Sequence, residues 1–182
     1  MKKVKVGIVC WMVFPAHAVA PTLSAVRAVG ARSFATSAWC NSKASNPCSQ
    51  QQFCMGRNRA LKVLAATYCA LLNGVGTATE SDLAGNIEVL FSPEFIKTSC
   101  GRVVARGRGE LLWQLREWYK VHGGWTVEAL ETTPHPDGVH CRIVYLWFTK
   151  HSGAREVVVT FSSQDGVHID AMDEVIGGIS GF

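Results

Sequence analysis

The chain has 182 residues, 48% of them hydrophobic and 18% charged, which gives enough apolar content for one cored domain plus an extension and excludes a wholly disordered chain. Its formal net charge of +4 conceals a split: residues 1–79 carry nine Lys/Arg and no acid, whereas residues 80–182 hold nine Lys/Arg against all fourteen acids. Basicity therefore belongs to the leading part and the core-forming part is acidic. A nucleic-acid surface needs basic residues on the folded face, so no nucleic-acid partner is expected.

Met1-Lys2-Lys3-Val4-Lys5 followed by Val6 to Phe14 reads as a positive segment and a short apolar segment, with a small-x-small site at Ala16-His17-Ala18. The apolar run is shorter than the about 20 residues a membrane span needs, so no membrane span is expected. Three readings of this region stand side by side. It is a secretory signal; or, with Arg32-Ser33-Phe34-Ala35-Thr36, a mitochondrial transit peptide; or Met55 is the working start and the protein is cytoplasmic. Asn41 to Pro47 lacks periodicity and is rich in breakers, which predicts coil, so residues 1–54 read as leader and linker and 55–182 as the domain. Cys40, Cys48 and Cys54 match no common zinc spacing and leave one thiol over if two pair. Cys69, Cys100 and Cys141 fall in regular structure and read as small buried hydrophobes.

Leu61, Leu64, Tyr68, Leu71 and Leu72 recur at helical spacing, so residues 58–73 form a first helix ended by Asn73-Gly74. Thr79 followed by Glu80 and Asp82 starts a second, through Ile87, Leu90 and Phe91, closed by Pro93. Short extended pieces cover Phe95–Cys100 and Val103–Ala105. A third helix follows, with the stripe Leu111, Leu112, Leu115, Trp118, Tyr119 and His122 and the terminator Gly123-Gly124. From Trp125 the period changes to 2. Cys141, Ile143, Tyr145 and Trp147 alternate with Val144, Leu146 and Phe148, so that strand is apolar on both faces and lies inside a sheet. Turns at Pro134–Gly138, His151–Gly153 and Gln164–Gly166 separate the later strands. This order predicts an α+β domain in which a strongly curved antiparallel sheet wraps three helices around a central pocket.

Several motifs then identify a resemblance. Tyr68-Cys69-Ala70-Leu71-Leu72-Asn73, Val89-Leu90-Phe91-Ser92, Gly107-Arg108-Gly109-Glu110-Leu111-Leu112 and Asp165-Gly166-Val167-His168-Ile169 occur in order. With Gly124-Trp125, Cys141 to Tyr145 and Asp173-Glu174-Val175, they resemble the SnoaL-like and ketosteroid-isomerase-like members of the nuclear transport factor two superfamily, in a bacterial branch with no settled function. The resemblance covers residues 57–176 and implies a cystatin-like cone. It places Tyr68 at the oxyanion tyrosine of the isomerases, the carboxylate base near Ser99, and a second aspartate at Val157 or Val159. Neither position holds an acid, and a serine or valine cannot abstract an α-proton, so isomerase chemistry of that kind is not expected.

The same resemblance points Ala171, Asp173 and Val175 into the pocket. Asp173 with Tyr68 is thus the candidate catalytic pair, and the structural alternative pairs Asp173 with Tyr68 or Arg142. Ser99, Leu115, Trp118, Tyr119, Tyr145, Trp147, Val159 and Phe161 complete the expected pocket, each equally open to a plain core role. His135, Asp137, His140 and Cys141 are metal-ligand types but straddle a turn and a strand, so neither a metal nor a cofactor is expected. Arg102, Arg106 and Arg108 read as a solvated hairpin edge, and Gly74-Val75-Gly76 follows a helix and so is no nucleotide loop. The expected function is binding of a small apolar or aromatic ligand, with self-association as a homodimer through the outer sheet face (Val144, Leu146, Phe148, Val158). The alternatives are an isomerase, hydratase or cyclase, or a protein-association module.

Overall fold

The computed structural model describes residues 47–150 and 153–179, with side chains from Met55 to Gly177. The leader readings, Cys40, and the side chains of Cys48 and Cys54 lie outside the described residues. The order is α1 (Pro47–Gly74), α2 (Glu80–Leu90), β1 (Phe91–Ser99), β2 (Arg102–Arg106), α3 (Gly107–Val121), β3 (Trp125–Pro134), β4 (His140–Thr149), β5 (Gly153–Ser162) and β6 (Ile169–Ile179). Helix α1 starts eleven residues before the expected 58, since Pro47 is tolerated in a first helical turn. Thr79 caps α2 as expected, its hydroxyl oxygen accepting the Asp82 N–H at 3.1 Å. Pro93 does not close that helix: α2 ends at Leu90, and Pro93 sits within β1, where the pairing with β6 is interrupted.

The strands form one open, curved sheet in the order β2-β1-β6-β5-β4-β3. Four of the five pairings are antiparallel, but β1 and β6 run parallel, so the sheet is mixed rather than wholly antiparallel. Long-range pairing of this kind leaves no turn signal between the partners. Helices α1 and α3 pack on the concave face, α1 against β3 and β4, α3 against β1 and β2. The core between them holds Leu61, Leu64, Tyr68, Leu72, Phe91, Phe95, Leu111, Ile143, Val159, Phe161 and Ile169, all buried. Each such side chain contributes about 1.5–3 kcal/mol through burial.

Polar side chains fix the helices to the sheet. Asn73 acts as a strand surrogate at the end of α1: its Nδ2 donates to Val127 O at 3.0 Å and its Oδ1 accepts the Val127 N–H at 2.7 Å. The Trp125 indole N–H donates to Leu72 O at 3.0 Å, fixing the start of β3 against the same helix end. Arg108 is no part of a solvated edge. Its Nε and Nη2 donate to Phe91 O at 2.8 and 2.6 Å, and Nη2 also reaches Glu88 O at 2.9 Å, closing the C-terminal end of α2. Cys69 and Cys141 are buried as expected, whereas Cys100 is exposed at the β1–β2 turn with φ of 50°, because a tight hairpin needs left-handed residues there. Burial pushes the Cys141 thiol up to about 11, which makes it inert.

Two turns at the same end of the sheet repeat Asp-Gly-Val-His. In each, the aspartate Oδ1 accepts the N–H groups of the Val and the His, while Oδ2 meets the His Nδ1, at 2.6 Å for Asp137–His140 and 2.7 Å for Asp165–His168. His135 Nδ1 also lies 3.0 Å from Asp137 Oδ2, but Cys141 is buried on the other side of β4. Among the described residues no group of three or more ligand-type side chains is placed to hold a metal.

Candidate functional site

The cone interior is built by alternation along four strands. In β1, Phe95, Lys97 and Ser99 point inward; in β4, Ile143, Tyr145 and Trp147; in β5, Val157, Val159 and Phe161; in β6, Met172 and Glu174. Lys97 is 2% exposed and its Nζ forms an ion pair with Glu174 Oε2, itself on a residue 5% exposed. The ammonium also sits 5.1 Å from the centroid of the Trp118 ring, a favourable cation–π distance.

Two tyrosines extend this cluster. The Tyr145 hydroxyl donates to Glu174 Oε1 at 3.4 Å, and Tyr68 lines the same cavity beside them. Burial, and then the Glu174 charge, hold both phenols well above their ordinary value, so both remain protonated donors at neutral pH.

Around these groups Leu72, Leu115, Trp118, Trp125, Val127 and Trp147 complete the wall. The space left between them is about 20 Å³, room for about one water. The Trp125 and Trp147 rings meet edge to face at 5.9 Å, and His122 stands against Trp147 at 4.8 Å. Trp118 is only half-buried and forms the part of the wall that reaches solvent.

Of the residues expected in the pocket, the structure brings together Tyr68, Leu115, Trp118, Tyr145 and Trp147. Ser99, Val159 and Phe161 face inward and are buried, but outside the cavity lining. Tyr119 stands beside the cavity, its ring edge to face with Trp125 at 5.0 Å and its hydroxyl end against Gly76 and Gly124. Ala171, Asp173 and Val175 lie on the outer face: Ala171 is exposed, and the Thr98 hydroxyl donates to Asp173 Oδ1 at 2.5 Å. Asp173 and Tyr68 therefore do not meet, and the carboxylate inside the cone is that of Glu174.

The reason is a break in alternation. Ile169 faces inward, so strict alternation would carry Ala171 and Asp173 inward with it, yet Met172 is the next buried residue. Pairing with β1 jumps from Phe91↔Ile169 to Ile96↔Ala171, and this irregularity shifts the strand by one residue. Lys97 was missed because a lysine in a short strand reads as solvated. Its spacing from Phe95 and Ser99, on one face of β1, was the signal available.

Comparison with solved structures gives the fold. A proposed isomerase of the SnoaL-like family from Agrobacterium tumefaciens superposes with a TM-score of 0.57 at 11% identity, covering 66% of this chain and 99% of that one. A protein of unknown function with a cystatin-like fold from Methylobium petroleophilum gives 0.53 at 12% identity, over 68% and 80% of the two chains. A proposed SnoaL-like polyketide cyclase from Jannaschia gives 0.51 at 13% identity, over 62% and 84%. The fold is that of the SnoaL-like proteins. No protein-family model matches the sequence, and no curated protein does either. Within this fold the chain brings its ionisable and aromatic groups together in the lining of one cavity. No helix among the described residues is long and apolar enough to cross a membrane.

Proposed function

We propose that this SnoaL-like domain binds a small aromatic or apolar molecule carrying one polar group, with Lys97, Glu174 and Tyr145 meeting that group at the floor of the cone. The buried ion pair carries the reading. Taking two charges out of water costs several kcal/mol per ion, and an apolar pair of similar size fills a core at least as well. A ligand's polar atom takes the place available to one water, and its apolar body enters where the Trp118 ring swings aside.

Calorimetric titration with phenol tests this. Saturable binding is expected for the natural protein. Leu115→Trp, which fills the cavity, abolishes it, and Tyr145→Phe, which keeps the ring and removes the hydroxyl, weakens it several-fold, as loss of one buried hydrogen bond of about 1–2 kcal/mol requires. No saturable heat, or equal binding by both variants, overturns the proposal.

A second reading, an isomerase, hydratase or cyclase, draws on the contact between Tyr145 and Glu174. Here Glu174 takes the place foreseen for Asp173 as proton acceptor, and the protonated tyrosines are donors to a developing oxyanion. The names borne by the Agrobacterium and Jannaschia proteins support it. Either reading is compatible with self-association through the outer sheet face, where Leu146, Phe148 and Val158 are half-buried and apolar. Light scattering at high protein concentration is expected to give twice the chain mass; a monomer ends that part of the proposal.

A further inference from the structure

We propose that Lys97 is an amine nucleophile for small aldehydes, condensing with a carbonyl ligand in the cone to give an iminium ion that keeps Glu174 as its counter-ion. This deepens the ligand-binding reading and rests on it, by naming the class of ligand as one that carries an aldehyde.

The position of the amine argues for it. Lys62, Lys120 and Lys150 are exposed. Lys97 is 2% exposed, among the residues lining the cavity, between the Glu174 carboxylate and the face of Trp118. Desolvation in a largely apolar pocket activates a lysine amine toward carbonyl carbon, and the adjacent carboxylate is the base that takes its proton. The aromatic wall of Trp118, Trp125 and Trp147 suits the apolar body of such a ligand.

The step balances without an oxidant or reductant. The ammonium passes one proton to Glu174, leaving a neutral amine and a carboxylic acid. The nitrogen lone pair forms the C–N bond, and the carbonyl π pair moves to oxygen. A proton then passes from nitrogen to oxygen, giving a neutral carbinolamine. Glu174 returns its proton to that hydroxyl, which leaves as water while the nitrogen lone pair closes the C=N bond. The net change is ammonium plus aldehyde to iminium plus water. One cation faces one carboxylate before and after, so the ion pair that fixes Lys97 does not oppose the reaction. The Tyr145 hydroxyl, beside Glu174, is placed to donate to the ligand oxygen as charge develops on it.

The full chain is incubated at neutral pH with benzaldehyde and cyanoborohydride, which traps the iminium. Peptide mapping by mass spectrometry then compares the extent of labelling at Lys62, Lys97, Lys120 and Lys150. Lys97 is expected to react at least about ten-fold faster than the exposed lysines, as for an activated amine, and to lose that advantage in urea. Glu174→Gln slows labelling at Lys97 alone. If Lys97 is the slowest of the four, as burial without activation dictates, the proposal is overturned. Phenol binding separates the causes: a cone that binds phenol while Lys97 stays unlabelled rejects only the aldehyde class, and a cone that does neither rejects the ligand site as well.

Discussion

Lys97→Met lowers the unfolding free energy by about 3–5 kcal/mol, because it strands the Glu174 carboxylate in the interior without a counter-ion. That is a large fraction of the about 5–15 kcal/mol that holds a domain of this size together. Lys97→Met combined with Glu174→Leu returns to within about 1–2 kcal/mol of the natural protein or exceeds it, since the desolvation of both ions is removed. Tyr145 loses its carboxylate acceptor in the double variant, which sets the residual cost. Urea denaturation of the two single variants and the double variant measures the coupling. Additive losses would show that the two charges do not depend on one another inside the cone.

Gly76→Ala is the second large effect. A methyl group at that position overlaps the end of the Tyr119 ring, which also rests against Gly124, itself at φ of 90°. The ring is displaced from its slot, which weakens the edge-to-face contact with Trp125 at 5.0 Å. Overpacking of this kind costs about 1–3 kcal/mol. Because Trp125 is part of the cavity wall, phenol affinity falls with it. Tyr119→Leu in the Gly76→Ala background removes the overlap and restores most of the stability. A thermal midpoint for Gly76→Ala equal to the natural one would show that Tyr119 does not occupy this slot. The Gly74-Val75-Gly76 run, excluded as a nucleotide loop in the sequence, thus has a steric reason to contain glycine.

The element order was legible because the hydrophobic period changes from helical to alternating at Trp125, and because the punctuation is local. Thr79 caps α2 through its own hydroxyl, and Gly123 and Gly124 end α3 at φ of 66° and 90°. Non-local features were not legible. The parallel pairing of β1 with β6 joins segments with four other strands and a helix between them. The face of β6 that enters the cone depends on an irregularity opposite Phe91–Ile96, and one residue of slip exchanges Asp173 for Glu174. Half of the cavity wall came from reading aromatic and aliphatic stripes, namely Tyr68, Leu115, Trp118, Tyr145 and Trp147. Its two charged members, Lys97 and Glu174, did not. Burial of Lys97 is set by a partner on another strand, and the alternation Phe95, Lys97, Ser99 hints at it only once β1 is known to run past residue 97.

The central claim is that the chemistry of this cone belongs to the inward carboxylate on β6. Phenol titration of Glu174→Gln and Asp173→Asn, side by side with the natural protein, tests it most directly. Glu174→Gln is expected to change phenol affinity by about ten-fold, the effect of about 1.4 kcal/mol at a charged hydrogen-bond partner, while Asp173→Asn binds as the natural protein does. An unchanged Glu174→Gln together with a weakened Asp173→Asn would contradict it.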